Sequence, residues 1–209
     1  MYKFAHFTEK DRGRVIAFMQ ENSFATITGF GDPYPIATQI PLEIIVMDDG
    51  KITCSGHLMK NTDHHKAFIK NNNVLVLFNG PHCYVSAAWY NNPHTASTWN
   101  YMTVQAKGTI AFTDEEGTYE AIKSITNKYE TAESAAAFNN MSKDYIQPLL
   151  KAIVGFTISI ENLDTVFKLS QNKTEKEQIN IIEHLKMTNN DGSIKIAIEM
   201  QQLINNKKS

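Results

Sequence analysis

No apolar run in the 209 residues approaches the ~18 that a membrane helix needs. Residues 1–10 are polar and aromatic and carry no signal-peptide pattern. There are only two cysteines, Cys54 and Cys83, both inside apolar strand-like runs and neither with a partner at C-x-x-C spacing. Together these point to a cytoplasmic protein with reduced, buried thiols. Nothing near Cys83 supplies a thiolate-stabilising cation, so it reads as inert. Positive charge is not in excess: 20 Lys and Arg face 22 Asp and Glu, for a net charge of −2. That is a poor footprint for nucleic acid, where phosphate neutralisation carries much of the affinity. Seven histidines are present, but none lies at i+4 to another, and adjacent His64 and His65 point to different faces of a helix. No metal site is expected. A G-x-G-x-x-G, a P-loop lysine and a G-x-S-x-G elbow are all missing, which removes the motif-borne nucleotide folds and the common serine triad.

What is present is concentrated in residues 74–101. Both tryptophans and three of the eight tyrosines lie there. Asn79, Ser86, Thr98 and Asn100 are spliced among these aromatics. A plain core avoids amides because buried polar groups need partners. A site for a flat polar ligand needs that mixture of apolar walls and placed hydrogen-bonding groups. Gly80-Pro81 and Asn91-Asn92-Pro93 are turn signals, so the stretch is expected to form three strands and two connections.

Along the chain, Thr8 with Asp11 predicts a cap for an amphipathic helix over 9–21. Strands are expected over 24–28, 36–42 and 44–47, with Pro41 marking an edge or an irregularity. Asp48-Asp49-Gly50 predicts a hairpin into a strand over 51–58. Thr62 or Asp63 would cap a short helix ending at Asn71-Asn72-Asn73. The last strand of the aromatic stretch should run on to Phe112. Six or seven hairpin-joined strands in the first 113 residues suggest a closed or partly closed antiparallel barrel. Beyond it, Asp114 caps a helix to about 129, residues 134–140 are helix or loop, and Ser142 starts a helix containing Pro148. A strand over 153–160 follows. Thr174 and Glu177 form a capping box for a helix to about 187. Asp191-Gly192 turns, Ser193 caps a last helix to 206, and residues 205–209 fray. The organisation is one domain over 1–209, with a barrel core of about 1–113 and a helical plus strand extension of about 114–209.

Two segments invite a functional reading. Residues 55–62 run from a strand end into a helix start, where free N–H groups attract anions. Lys60 adds charge there, and His57, Asn61 and Thr62 add donors. A solvated loop with an N-cap threonine is the competing reading, and spacing leaves both open. In residues 166–172, Lys168 sits between apolar residues ahead of Ser170, Gln171 and Asn172; it is either a snorkelling lysine or a lysine and amide delivered to a ligand.

These stretches together resemble the PaiB-like family of FMN-binding negative transcriptional regulators. Met1-Tyr2 and the aromatic start match its opening. Ala37-Thr38-Gln39-Ile40-Pro41-Leu42 is similar to its A-T-H-L-P-L strand, and residues 56–62 to its G-H-L-A-R-A-N-P segment. Residues 78–90 match F-x-G-P-H-x-Y-V-S-P-S-W-Y, residues 97–101 match P-T-W-N-Y, and residues 166–172 nearly complete K-F-K-L-S-Q-N. The resemblance implies an α+β, mainly β fold: the FMN-binding antiparallel split β-barrel of the pyridoxine phosphate oxidase type, with flanking and C-terminal helices. It also implies a homodimer with FMN at the subunit interface. On this basis Thr38, Gln39, Ile40 and Pro41 would run along the isoalloxazine, and His57 and Leu58 would flank the ring and ribityl chain. Lys60 and Asn61 would hold the phosphate. Tyr84, Ser86, Trp99 and Asn100 would complete the cradle, some of them from the partner, and Lys168 and Gln171 would approach the ring's polar edge. A cation there would stabilise the reduced anionic flavin.

The departures are local. The family's arginine is Lys60, which keeps the charge and loses the bidentate fork. Its histidine is Gln39, the proline after Asn61 is Thr62, and S-P-S-W-Y becomes Ser86-Ala87-Ala88-Trp89-Tyr90. The function implied is a regulatory or redox-sensing flavoprotein. The alternative is a flavin-dependent oxidoreductase or reductase acting on a small molecule, and the sequence leaves catalysis open. DNA binding follows from the family name only. The segment 173–187 mixes Lys173, Lys176 and Lys186 with Glu175, Glu177 and Glu183, which reads as a solvated face.

Overall fold

The computed structural model describes residues 4–90 and 94–206. The Met1-Tyr2 opening, the Asn91-Asn92-Pro93 turn and the end of the tail lie outside the described residues. Seven strands of the described residues form one sheet: β1 (Phe24–Gly29), β2 (Ile36–Pro41), β3 (Glu43–Val46), β4 (Ile52–Met59), β5 (Asn73–Val85), β6 (Thr98–Phe112) and β7 (Ile153–Lys168). Their order is β2-β1-β5-β6-β7-β4-β3. The fold is an antiparallel split β-barrel with helices, as expected. Among the described residues six α-helices accompany the strands: α1 (Arg12–Glu21), α2 (Asp63–Lys70), α3 (Glu115–Tyr129), α4 (Lys143–Ala152), α5 (Glu175–Lys186) and α6 (Asp191–Asn206).

Period-two burial sets the strands. Ile52, Cys54, Gly56 and Leu58 of β4 turn inward while their neighbours stay out, and Met102, Val104, Ala106 and Ile110 do the same in β6. The helix starts follow local chemistry. Thr62 caps α2 by accepting from His65 N–H, Asp114 caps α3 through Gly117 N–H, and Ser142 caps α4 through Tyr145 N–H. Thr174 and Glu177 form the full capping box of α5. Pro148 lies inside α4, which runs on to Ala152.

Four local expectations are corrected. Gly80-Pro81 does not break the chain: β5 runs through both, and the following segment is a short 3-10 turn, Ala87–Trp89, capped by Ser86. The strand expected over 153–160 continues to Lys168. The first helix starts at Arg12, with Asp11 rather than Thr8 accepting from Arg14 N–H. The last helix starts at Asp191, where Asn190 accepts from Ser193 N–H. Pro41 does lie on an edge strand, since β2 ends the sheet order.

The described chain divides into two compact units, and both draw on residues before and after position 113. One comprises residues within Met1–Val15, Asn79–Val104 and Asp164–Ser209; the other comprises Ile16–Phe78 and Gln105–Leu163. In the second unit Ala25, Ile27, Leu42, Phe68, Val76 and Phe156 are buried, and Phe138, Ile146 and Leu150 form a cluster of their own. Gly29 is fixed by Phe68, since a Cβ at position 29 would come within 2.7 Å of that ring. In the first unit α5 packs on α6, and Phe167, Ile181, Leu185, Ile196 and Met200 are buried. Among the described residues no helix is long and apolar enough to cross a membrane, and no cluster of His, Cys, Asp and Glu could hold a metal.

Candidate functional site

Eight of the fourteen candidate residues fall in the unit containing β1 to β4. Thr38 to Pro41 pair with β1 in register, with Thr38 opposite Ile27 and Pro41 opposite Phe24. Among the described residues no strand pairs with the other edge of β2. Alternate N–H and C=O groups of this strand are therefore left pointing outward, as on any antiparallel edge. Gly56 brings β2 and β4 together. A Cβ there would lie 2.9 Å from Phe156 Cζ, 3.2 Å from Leu42 Cδ2 and 3.4 Å from Ile40 Cγ2. The bare backbone at Gly56 thus seats Ile40 beside the residue that precedes His57. His57 pairs with Gly155 and is partly buried, which holds its imidazole below the usual pKa and favours the neutral ring. Leu58 is buried, with its side chain turned into the core.

The loop that follows is tightly knit. Asn61 adopts the left-handed region at φ 66°. Its N–H donates to His65 Nδ1 at 3.1 Å, and the Thr62 hydroxyl donates to Met59 O at 2.9 Å. His64 N–H is taken by Asp63 Oδ1 at 2.8 Å. The first backbone donors of α2 are thus held locally. Lys60 Nζ makes only a 3.4 Å contact to Leu150 O, leaving its charge without a carboxylate partner among the described residues. Burial lowers the His65 pKa, and His64, Lys60 and Lys66 lower it further.

The other six candidates lie in the unit with the C-terminal helices. Tyr84 is 51% exposed and Trp99 52% exposed, and their rings meet edge to face with centroids 6.1 Å apart; His82 lies 6.1 Å from Trp99. These form an aromatic surface on neighbouring strands β5 and β6. Lys168 donates to Thr98 Oγ1 and, at 2.9 Å, to Trp99 O, and partial burial lowers its pKa. The remaining polar side chains are spent internally. Asn100, fully buried, donates to Ser170 Oγ at 2.9 Å and accepts back at 3.1 Å. Gln171 accepts from Leu169 N–H at 2.7 Å and donates to Phe167 O at 2.5 Å. Ser86 caps the 3-10 turn by accepting from Ala88 N–H. Burial pushes both cysteine thiols up to about 12, consistent with inert groups.

One feature escaped the sequence reading. A recess of about 630 Å³ opens where the β1–β2 connection meets β5, β6 and β7, lined in part by Phe30, Pro33, Val74, Leu75, Gly108 and Glu161. Its only sequence signal was the Gly- and Pro-rich segment 29–35, which reads as a turn. None of the fourteen candidates lines it.

An open edge strand and a barrel seam closed over a glycine belong to a split barrel. The fold is shared with the FAD and heme binding protein of Mycobacterium smegmatis (TM-score 0.61, 15% identity, 82% of this chain and 78% of that one). It is also shared with flavocytochrome Anf3 of Azotobacter vinelandii (TM-score 0.62, 12% identity, 80% and 72%). Residues 1–162 match the family described as "Putative FMN-binding domain". The Bacillus subtilis protein "Protease synthase and sporulation protein PAI 2" is 32% identical over 202 residues, spanning 96% of this chain and 97% of the relative. The chain belongs to the PaiB-like FMN-binding family, and its cofactor is FMN.

The donor set suits that cofactor. A flat ring with a polar edge asks for outward backbone groups of an edge strand, which β2 has. A phosphate asks for a cation without a competing carboxylate, which Lys60 is. Bound there, the flavin would supply one- or two-electron redox chemistry.

Proposed function

We propose that this chain acts as a homodimeric FMN-binding protein, regulatory or redox-sensing in role, with the whole of 1–209 working as one domain. The observation that carries this reading is the Gly56 seam. It places the open edge of β2, His57 and the Lys60 loop in one unit. Thr38 to Pro41 would meet the ring's pyrimidine edge through backbone groups. His57 would flank the ring as a neutral imidazole, and Leu58 would serve by backbone position only. Lys60 and Asn61 would take the phosphate, with Lys60 exchanging a weak carbonyl contact for it.

The exposed Tyr84–Trp99 pair supports dimerisation, since adjacent half-exposed aromatics on a sheet face are interface material. Lys168 is the cation offered to the ring; its partners are a hydroxyl and a carbonyl, so its charge stays available. Asn100, Ser86 and Gln171 would act by holding the aromatic strands and the Lys168 turn in place. The relative's name refers to a protease synthase and to sporulation and names no metabolic substrate. DNA contact has no support in the net charge of −2.

The test is FMN titration of the purified protein, followed by addition of NAD(P)H to the loaded form. Retained flavin that the nucleotide leaves oxidised supports the regulatory reading. Rapid bleaching moves the assignment to a flavin-dependent oxidoreductase.

A further inference from the structure

The recess beside the β1–β2 connection has a chemistry of its own. Its lining draws on β1, the β1–β2 connection, β5, β6 and β7. Gly29 and Gly108 contribute backbone to it, and their Cβ positions face the protein: a Cβ would strike the Phe68 ring at position 29 and Ser159 O, at 2.2 Å, at position 108. Phe30, Pro33 and Leu75 supply rigid apolar walls. The volume, about 630 Å³, lies within the ~300–1,000 Å³ typical of small-molecule sites.

The polar groups at the rim are one-sided. Thr28 is consumed, its hydroxyl donating to Leu75 O at 3.2 Å. Asn73 spends one of its two side-chain N–H groups on Asn71 Oδ1 at 3.0 Å. Glu161 is exposed and, among the described residues, its carboxylate has no partner. Lys107 at the rim is already engaged. The one full charge in the lining without a partner among the described residues is therefore the negative charge of Glu161.

We propose that this recess is a second ligand site, separate from the flavin's, for a flat ring compound with N–H donors or a positive charge on one edge. An apolar ring would lie against Phe30, Pro33 and Leu75, and its donor edge would face Glu161. A carboxylate or phosphate of the same shape would meet the Glu161 carboxylate and be rejected by like-charge repulsion.

Benzamidine and benzoate form the probe pair: one shape, opposite edge chemistry. Each is titrated into the FMN-saturated protein while the amide resonances of Gly29, Gly31, Val74 and Gly108 are followed by NMR. Benzamidine should shift these saturably and benzoate should not. Glu161→Gln, at an exposed position, should weaken benzamidine about five- to tenfold, and Glu161→Lys should abolish it and admit benzoate. Four outcomes would overturn the proposal: no shifts with benzamidine, equal binding of both probes, displacement of FMN by benzamidine, or cavity amides that respond only on dilution because a second copy covers them.

Discussion

Asn100 and Ser170 hold each other by two hydrogen bonds, amide N–H to hydroxyl at 2.9 Å and hydroxyl to amide oxygen at 3.1 Å. Asn100 is fully buried and Ser170 sits at φ 60°, a left-handed conformation that a serine adopts at a cost. The pair fastens the turn after β7 to β6. Because Lys168 precedes that turn and reaches Thr98 and Trp99 O, the same fastening positions the ammonium group.

Asn100→Ala should therefore destabilise the fold by about 1–3 kcal/mol, the cost of leaving a buried hydroxyl without its partner. Urea unfolding monitored by tryptophan fluorescence checks this. Gln171→Ala, which removes a partly buried turn contact, should cost less.

Histidine protonation gives stability a pH dependence. Burial depresses the His57 pKa in the folded state below the ordinary histidine value of 6.5, and His65 moves in the same direction. Unfolded chains then bind more protons than folded ones below about 6.5. The stabilisation is complete above that pH and is lost as pH falls through the folded-state values. His57→Gln should flatten the stability–pH curve between neutral and mildly acidic pH, as read from denaturation midpoints.

The Gly56 seam links packing to ligand. Gly56→Ala places a methyl 2.9 Å from Phe156 Cζ and 3.2 Å from Leu42 Cδ2, so the Phe156 ring must move and Leu42 must give way beside Ile40 of β2. A loss of about 1–3 kcal/mol is expected from overpacking, together with weaker FMN binding. Gly50→Ala, at φ 81° with open space around it, should destabilise through backbone strain alone and leave FMN affinity unchanged.

Much of this was legible in the sequence, and the misses have identifiable causes. Asp114, Thr62, Ser142 and the Thr174–Glu177 box each announced a helix start because capping is local chemistry. Strands β4 and β6 showed their period-two burial directly. Gly80-Pro81 misled because a turn signal is only a local preference, and pairing within the sheet holds β5 extended through it. An amide among aromatics needs a partner, and sequence order does not reveal that Ser170, 70 residues after Asn100, provides one. The recess was invisible for the same reason: Glu161 and Lys107 reach the 29–35 turn only through the strand order.

The Tyr84–Trp99 surface should respond to substitution without loss of fold. Both residues are half exposed, so Trp99→Ala should cost little in monomer stability. A shift from dimer to monomer by sedimentation is the expected effect.

The measurement that bears most directly on the account is FMN affinity of the wild type, Lys60→Ala and Lys60→Arg, each compared with riboflavin, which lacks the phosphate. Lys60→Ala should weaken FMN at least tenfold and leave riboflavin unchanged. Lys60→Arg should tighten FMN several-fold by restoring a bidentate fork. FMN affinity indifferent to both substitutions would contradict the account, because the phosphate would then lie away from the Lys60 loop and the Gly56 seam would not frame the flavin.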